Sequence, residues 1–259
     1  NLQSLKHYGF EVITPACGML ACRDIGDGKL PEPDVLLDYI LKEIAFEKDL
    51  IGKNILVTAG PTQEAIDPVR FITNHSTGKM GYAIAECAMQ RGANVTLVSG
   101  PTSLKKPPFV RVIEIVSAQD MFDAVTGCAE EQDIIIKSAA VADYRPSNVS
   151  DEKVKKSDGE LNIPLERTQD ILKHLGEHKK AGQFLCGFSM ETEDMLENSR
   201  AKLHKKNLDM IVANNLKQAG AGFGVDTNVV TMISVDTVKE LEIMSKEDVA
   251  EAIVTEILA

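Results

Sequence analysis

Long apolar runs are missing from this 259-residue chain. None approaches the roughly 20 consecutive apolar residues that a membrane-spanning helix needs, which argues against a membrane protein. A basic segment followed by an apolar one is also missing at the start, so no secretory signal is visible. The first residues, Asn1, Leu2 and Gln3, include no methionine, which indicates a chain cut from a longer one. We therefore expect a cytoplasmic location and no membrane partner.

Cysteine is scarce, and its spacing follows no metal-binding or disulfide pattern. The five cysteines are Cys17, Cys22, Cys87, Cys128 and Cys186. Their number is odd and no two form a Cys-x-x-Cys pair, which argues against a disulfide framework and against a zinc site. We expect reduced thiols, in keeping with a cytoplasmic protein.

Positive charge is in deficit, with 28 Lys and Arg against 39 Asp and Glu and a net charge of −11. This balance argues against general nucleic-acid binding. Six lysines nevertheless form two clusters: Lys153, Lys155 and Lys156, and then Lys202, Lys205 and Lys206. Such clusters are solvated faces in most proteins, but in an acidic chain they are also suited to holding a small polyanion.

The glycine-rich phosphate loops of two common nucleotide-binding classes are absent. The first predicted strand, 54–58, runs into Ala59-Gly60-Pro61-Thr62, where a Rossmann protein carries Gly-x-Gly-x-x-Gly. A P-loop is absent too, because Thr73 stands where its first glycine belongs and Met80 follows Gly78-Lys79. The first absence speaks against a nicotinamide-dependent oxidoreductase.

From about residue 52 the chain alternates between predicted strands and helices. Apolar runs predict strands at 54–58, 94–98 and 133–136, while helical spacing predicts helices at 78–91 and at 117–130, the latter with a serine N-cap. Nearly continuous apolar strands separated by helices are typical of a doubly wound, mostly parallel α/β sheet with a Rossmann-like order. Ligands bind such sheets beyond the carboxyl ends of the strands, so the loops after the first and third strands are the candidate site.

The rest of the chain is interpreted from weaker patterns. The predicted elements are helices at 168–180, 194–206 and 246–258, strands at 184–188 and 208–213, and a hairpin from 229–235 and 238–243. The lysine-rich segment 149–159 is expected to be a mobile loop. At the start, 18–29 is interpreted as a glycine-punctuated loop, and the segment after Pro31 as a short amphipathic helix. We expect two domains, residues 1–46 and 47–259.

The first candidate loop, 67–81, is long and polar and runs into a helix. Ser76, Thr77 and Gly78 can leave backbone N–H groups free at the helix start, which favours an anion. Asn74 supplies a neutral amide for a carbonyl or phosphate oxygen. An ordinary helix cap is the alternative, although Arg70 and Lys79 beside these residues favour a binding site.

The second candidate loop, 137–146, follows the third strand. Its small residues would let a ligand approach the backbone, and Asp143 places a charge at the mouth of an apolar strand. A capping or turn aspartate is the alternative interpretation.

Five segments resemble the signature of the phosphopantothenoylcysteine synthetase family. They are 59–81, with Thr-Asn-His-Ser-Thr-Gly-Lys-Met-Gly at its end, and Ala139-Ala140-Val141-Ala142-Asp143-Tyr144, Glu152-Lys153-Val154-Lys155-Lys156, Gly187-Phe188-Ser189-Met190-Glu191-Thr192 and Lys205-Lys206-Asn207-Leu208-Asp209. They occur in the family's order over about 52–259.

Residues 1–46 resemble the end of the decarboxylase that is fused to such synthetases. Cys22 matches the proton-donating cysteine of that enzyme's flap, while Arg23 replaces a flap glycine and Lys29 a flap arginine. The resemblance implies that FMN binds only in the missing part of the decarboxylase, so that Cys22 is inactive in this fragment.

The resemblance implies a ligase (EC 6.3.2.5) that joins 4′-phosphopantothenate to L-cysteine. CTP would activate the carboxylate as an acyl-cytidylate with release of pyrophosphate, and the cysteine amine would then displace CMP. Attack of a carboxylate on a triphosphate needs cations, so lysines and Mg²⁺ are expected, with unknown metal ligands. By similarity, Lys153 stabilises charge in the first step and Asn74 holds the activated acyl group.

The resemblance also implies two sets of binding residues. For CTP they are Lys137, Ser138, Ala139, Asp143, Lys153, Gln169, Asp170, Ile171, Leu172, Phe188, Lys202 and Lys206. For phosphopantothenate they are Arg70, Asn74, Ser76, Thr77, Gly78 and Lys79. Thr168-Gln169 replaces the family's usual Asn-Pro at the start of the nucleotide-contacting helix.

A homodimer is expected, because the predicted hairpin at 229–243 has apolar alternate residues and would offer a sheet edge to a partner. Family dimers point the same way, and the decarboxylase domain is the expected partner in a full-length protein. A Rossmann-type oxidoreductase and a non-catalytic nucleotide-binding subunit remain as alternatives to the ligase.

Overall fold

The computed structural model describes residues 1–155, 161–191, 195–215, 222 and 224–259. It divides into two compact units, Asn1–Asp49 and Leu50–Ala259. The division lies close to the predicted boundary at 46–47, and the origin of the first unit in a decarboxylase stays a prediction. Within the described ranges, no helix is both long and apolar enough to cross a membrane.

The first unit contains two helices and a hairpin. Its elements are α1 Leu2–His7, β1 Ala16–Met19, β2 Ile25–Lys29 and α2 Pro33–Ile44. The interpretation of 18–29 as a loop is wrong, because β1 and β2 pair antiparallel. The glycines belong to the strands: a Cβ on Gly18 would lie 3.0 Å from Cδ of Lys29, so the glycine allows a close cross-strand approach. The predicted helix after Pro31 is confirmed as α2.

The second unit alternates strands and helices. In chain order its elements are β3 Asn54–Ala59, β4 Gln63–Ala65, β5 Phe71–Thr73, α3 Lys79–Gln90, β6 Asn94–Ser99, β7 Arg111–Glu114, α4 Ala118–Ala129, β8 Ile134–Lys137, β9 Tyr144–Pro146, β10 Leu165–Arg167, α5 Ile171–Glu177, β11 Phe184–Glu191, α6 Met195–Lys205, β12 Met210–Asn215, β13 Thr227–Asn228, β14 Val230–Ser234, β15 Val238–Glu240, β16 Met244–Ser245 and α7 Lys246–Leu258.

Eight of these strands form one sheet in the order β15-β14-β12-β11-β8-β3-β6-β7. The five pairings from β12 to β7 are parallel, and β14 and β15 add an antiparallel hairpin at one edge. The predicted α/β fold with a mostly parallel sheet is therefore confirmed. Strand β7 and the short hairpins β4–β5 and β9–β10 were not predicted.

Helices cover both faces of the sheet. Successive residues of a strand point to opposite faces, so Ile55 and Val57 of β3 pack in the core layer of α3 and α7, whereas Leu56 packs in the layer of α4, α5 and α6. Helix α3 lies very close to β3, because Gly81 has no side chain: a Cβ there would be 2.6 Å from Cβ of Ala59. This close approach places the first turn of α3 against the end of β3.

Two helix starts differ in how well they were predicted. Ser117 caps α4 by accepting from the Asp120 N–H at 3.1 Å, and Asp120 completes a capping box, as the local sequence indicates. Helix α5 begins at Ile171 rather than at 168, because Thr168 is held elsewhere: its Oγ1 donates to the carbonyl of Ala142 at 2.6 Å.

The predicted hairpin exists, but its apolar face is not an open edge. Strand β14 is buried between β12 and β15. The outer strand is β15, whose three residues are exposed, and Lys239 there pairs with Glu256 at 3.0 Å. A partner at this edge would therefore meet a short, mostly charged strand, and the homodimer stays a prediction.

Candidate active site

The two candidate loops meet at the carboxyl edge of the sheet, because β3 and β8 are parallel neighbours. The Ala140 N–H donates to the carbonyl of Gly60 at 3.0 Å, and the Thr62 N–H donates to the carbonyl of Ala140 at 3.2 Å. Thr62 Oγ1 also accepts from the Ala142 N–H at 3.0 Å. The loops after the first and third predicted strands thus form one wall.

Asn74 is attached to this wall. Its Nδ2 donates to the carbonyl oxygen of Ala140 at 3.0 Å, which ties the start of α3 to the loop after β8. The Asn74 side chain is otherwise exposed, and Oδ1 and the second Nδ2 hydrogen have no other partner among the described residues. The amide is therefore oriented but still able to bind a ligand.

The start of α3 leaves backbone donors uncapped. Gly78 is the N-cap, with φ 82°, and none of the described side chains caps the first turn. A Cβ at Gly78 would lie 2.8 Å from Cγ2 of Thr102, so both its conformation and its surroundings require glycine. A helix of this length with free first-turn N–H groups attracts an anion.

A cavity of about 430 Å³ opens above these elements. It is lined by Thr73, Asn74, His75, Ser76, Thr77, Gly78, Lys79, Met80, Gly81, Lys137, Ser138, Ala139, Ala140, Val141, Asp143, Phe188, Ser189, Met190, Lys202, Asn214, Gly222, Asn228 and Lys246. We call it the first cavity. It brings together most residues that the sequence predicted from both loops.

A second cavity, of about 340 Å³, adjoins the first. It is lined by Lys137, Val141, Ala142, Asp143, Tyr144, Arg167, Thr168, Gln169, Asp170, Ile171 and Lys206. The two cavities share Lys137, Val141 and Asp143. Two ligands could therefore approach each other at this shared wall.

Lys137 stands on the shared wall in a strongly cationic setting. Desolvation and the nearby Lys206 ammonium lower the pKa of Lys137 to about 8, although the carboxylates of Asp170 and Asp143 oppose that shift. Its ammonium has no hydrogen bond or ion pair with any residue that the structure describes. An anionic ligand would restore the full charge of this lysine.

The two lysines spaced four apart near the end of α6 serve different cavities. Lys202 lines the first and Lys206 the second. Lys206 pairs with Asp170 at 2.9 Å. Although burial opposes it, hydrogen bonds from the Lys173 backbone and from Lys206 lower the pKa of Asp170. The resemblance had placed both lysines in the set that binds CTP.

Besides the paired Lys206 and Asp170, four predicted site residues of the second unit lie away from the described cavities or are already engaged. Leu172 is buried in the core between α4, α5 and the sheet. Lys79 lines the first cavity, but its Nζ pairs with Asp226 at 2.6 Å. Lys153 is exposed and lines neither cavity, and Arg70 lines neither.

Arg70 instead fastens the segment that carries Lys153. Its Nη2 lies 2.6 Å from Oδ2 of the buried Asp67 and also donates to the carbonyl of Val154. The Val154 N–H donates to the same Asp67 oxygen at 3.1 Å. Burial would raise the pKa of Asp67, but hydrogen bonds from the Val69 and Val154 N–H groups and from Arg70 lower it to about 2. We call this arrangement the Asp67 clasp.

Comparison with known proteins identifies the family. Residues 50–259 match the family described as "DNA/pantothenate metabolism flavoprotein C-terminal domain". The chain belongs to this family. It is similar to the coenzyme A biosynthesis bifunctional protein CoaBC of Bacillus subtilis, with 52% identity over 263 residues, 100% of this chain and 64% of the relative.

Two solved structures support the same assignment to the family. A crystal structure of the C-terminal domain of CoaBC is 48% identical, with a TM-score of 0.71 over 82% of this chain and 96% of the other. A family structure from Streptococcus pneumoniae is 27% identical, with a TM-score of 0.70 over 80% and 99%. The resemblance recognised in the motifs is thereby confirmed for the family, and this chain spans only 64% of the length of the B. subtilis relative.

The structure adds cavity residues that the motifs did not indicate. Asn214 lies one residue before the end of strand β12 and lines the first cavity, so the rule that ligands bind at carboxyl ends of parallel strands could have found it. Asn228 and Lys246 come from the last elements of the chain and carried no local signal. Cys22 is exposed in the first unit, which is described by itself.

Proposed function

We propose that this chain is a CTP-dependent phosphopantothenate–cysteine ligase of coenzyme A biosynthesis. In the proposed reaction, a carboxylate oxygen of 4′-phosphopantothenate attacks the α-phosphate of CTP and pyrophosphate leaves. The cysteine amine then attacks the acyl carbon, CMP leaves, and the amine gives up a proton as the amide forms. The name of the B. subtilis relative, a coenzyme A biosynthesis protein, supports this proposal.

The observation that carries the proposal is the wall shared by the two cavities. The reaction requires a nucleotide and an acid to react at one point, and Lys137 and Asp143 face both cavities. The second cavity, with Lys206 and Asp170, suits part of the nucleotide. The first cavity, with Asn74 and the start of α3, suits the acid and the reacting phosphate.

Cations lower the barrier of the first step. A carboxylate and a triphosphate repel each other, and negative charge accumulates as pyrophosphate departs. Lys137, Lys202 and Lys206 line the cavities. Lys153 lines neither cavity, but it directly precedes Val154, which the Asp67 clasp holds. We assign Lys153 to the step in which pyrophosphate leaves, because an exposed lysine on a polar segment can move onto a bound triphosphate.

A neutral donor suits the second step. When the amine attacks, the acyl oxygen becomes an oxyanion, and a fixed amide donor lowers that barrier without strengthening the binding of the charged carboxylate. Asn74 fits this requirement, because the bond to Ala140 orients its amide and leaves one N–H available.

Magnesium fits the site as an ion held mainly by the phosphates. Mg²⁺ sites in such enzymes commonly use one or two carboxylates together with substrate phosphates and water. The described residues contain no group of three or more His, Cys, Asp or Glu that could hold a metal, while Asp143 lines both cavities. The ion would neutralise phosphate charge when bound.

We also propose that the first unit is the end of a decarboxylase and that the chain forms a homodimer. Cys22 is exposed there, and the resemblance places the flavin-binding residues outside the 259 residues of this chain. The isolated chain should therefore bind no FMN and release no carbon dioxide from phosphopantothenoylcysteine. A yellow purified protein would contradict this assignment.

One assay tests the function. The chain is mixed with labelled CTP, phosphopantothenate and Mg²⁺, with and without L-cysteine, and pyrophosphate, CMP and the amide are quantified. We expect pyrophosphate in a single turnover without cysteine, and CMP with amide only when cysteine is added. No pyrophosphate release would refute the ligase and would favour the oxidoreductase or the non-catalytic subunit.

A further inference from the structure

Asn214 and Asn228 form a pair of amides in the lining of the first cavity, next to α3. Asn214 is the penultimate residue of β12, and Asn228 belongs to β13 and is only 2% exposed. Nδ2 of Asn228 lies 3.0 Å from Oδ1 of Asn214 and 3.9 Å from Sδ of Met80, in the first turn of α3. The pair therefore lies beside the uncapped start of that helix.

The direction of this amide pair follows from one backbone group. The Val229 N–H can only donate, and it donates to a side-chain atom of Asn228 at 3.0 Å, so that atom is Oδ1. The other amide atom of Asn228 is therefore Nδ2, a donor, and the Asn214 atom that faces it is the acceptor Oδ1. This leaves Nδ2 of Asn214, with two hydrogens, as the free end of the pair.

The free end faces the ligand space. Asn214 lines the first cavity, and its side chain makes no other hydrogen bond to any residue within the described ranges. A donor held in this way needs an oxygen acceptor, and the neighbouring helix start favours a negatively charged one.

We propose that Asn214, oriented by Asn228, donates a hydrogen bond to a phosphate oxygen of a ligand held at the start of α3. The proposal rests on the proposed function only for the identity of the ligand, since CTP and phosphopantothenate both carry phosphates. Asn214 is a binding residue in this scheme, and Asn228 is a positioning residue that acts through it.

The test is a binding titration by calorimetry with three probes: CTP, phosphopantothenate and inorganic pyrophosphate. Asn214→Ala removes the donor, and Asn214→Asp replaces it with a negative acceptor of the same shape. We expect Asn214→Ala to lower the affinity for at least one probe about 10-fold, and Asn214→Asp to lower the affinity for the same probe about 10- to 100-fold. Asn228→Ala should weaken it less, and should add nothing in the Asn214→Ala background.

A matched control is Asn94→Asp, the same change in an exposed residue at the amino end of β6, at the opposite edge of the sheet. It should leave all three affinities unchanged. Loss confined to CTP would assign the phosphate to the nucleotide, and loss confined to phosphopantothenate would assign it to the acid.

Three results would overturn the proposal. They are unchanged affinities in both Asn214 variants, an Asn228→Ala variant that binds like the wild type while Asn214→Ala does not, and a wild-type chain that binds none of the probes. Failure of the proposed function would give a different result: the wild-type chain would bind inorganic pyrophosphate but would form no amide. Melting temperatures of all variants show whether a change in affinity follows from unfolding.

Discussion

The Arg70 guanidinium binds the buried carboxylate of Asp67 through two nitrogens, Nε at 3.0 Å and Nη2 at 2.6 Å from the same oxygen. The pair is more than a local turn, because both side chains also bind the backbone of Val154, which follows Lys153 directly. A residue that the sequence assigned to phosphopantothenate is thus committed to holding another part of the chain. We infer that the clasp limits where Lys153 can lie.

Asp67→Asn tests this inference, because it keeps the shape and removes the charge that holds Arg70. We expect pyrophosphate release in a single turnover to fall about 10- to 100-fold, since a small misplacement of a catalytic group can cost that much. In a Lys153→Ala background the same change should cost little more, because the group it positions is gone. Rapid-quench assays of both single variants and the double variant provide the comparison.

Asp120→Asn is the matched control, since Asp120 also accepts a backbone N–H, at 2.8 Å from Ser117, but at the start of α4. It should lower thermal stability without slowing pyrophosphate release. If Asp67→Asn lowers the rate of pyrophosphate release by the same factor in the wild type and in the Lys153→Ala background, the clasp does not act through that lysine.

Ser117 and Arg70 illustrate which parts of the fold could be predicted from the sequence and which could not. The serine N-cap at Ser117 and the apolar run of β3 are local patterns, and both were predicted correctly. The bond from Arg70 to Val154 spans 84 positions, and no local pattern encodes it. The segment 18–29 was misassigned as a loop for the same reason. Gly18 allows a close approach between two paired strands, and the local sequence does not show that pairing.

The site was predictable to the same extent. Asn74 and Asp143 could be placed together, because both follow strands that a parallel sheet brings to one edge. Leu172 could not be separated from Ile171 by spacing alone, because both are buried in the same core cluster and, of the two, Ile171 alone also lines the second cavity. The ion pair of Lys79 could not be predicted from local sequence either, because its partner Asp226 is 147 positions away.

Lys137 gives a prediction about pH. Its pKa is lowered to about 8, so in the free protein its charge is present below about pH 8 and is lost as pH rises through that value. Bound phosphates stabilise the charged form, so CTP affinity should fall as pH rises from about 7 to 9. Lys137→Arg should keep its charge and show a flatter profile, and Lys137→Met should bind CTP about 10- to 100-fold more weakly at pH 7.

Titration calorimetry across this pH range measures the effect. Lys106→Met, at an exposed lysine that pairs with Glu114, is the control and should leave the profile unchanged. If the wild type and Lys137→Arg show the same pH dependence, another group controls nucleotide binding.

A homodimer is the prediction for solution behaviour. Sedimentation of this chain at micromolar concentration should give about twice its monomer mass of 28.2 kDa. The outer strand β15 is short and mostly charged, so we expect other surfaces to form the dimer. Val238→Asp should then leave the dimer intact. Dissociation of this variant would place the dimer contact at β15. A species of monomer mass alone would contradict the prediction.

Lys153 and Asn74 should fail at different steps. Lys153 carries charge and acts where pyrophosphate leaves, so Lys153→Ala should slow CTP-dependent pyrophosphate release about 10²–10³-fold even without cysteine. Asn74 is neutral, is oriented by Ala140 and acts on the acyl oxygen only when the amine attacks. Asn74→Ala should therefore release pyrophosphate in a single turnover, make little amide and leave acyl-cytidylate on the enzyme.

The decisive measurement is a quenched single-turnover reaction with labelled CTP, scored for pyrophosphate, acyl-cytidylate and CMP. Asn74→Asp is the informative companion, because it keeps the size of Asn74 but places a negative charge where the oxyanion forms, so it should be at least as impaired in amide formation as Asn74→Ala. If both Lys153→Ala and Asn74→Ala stop before pyrophosphate release, the division of labour is wrong, because Asn74 then serves the first step. If neither variant slows any step, the reacting centre lies elsewhere than at the wall between the two cavities.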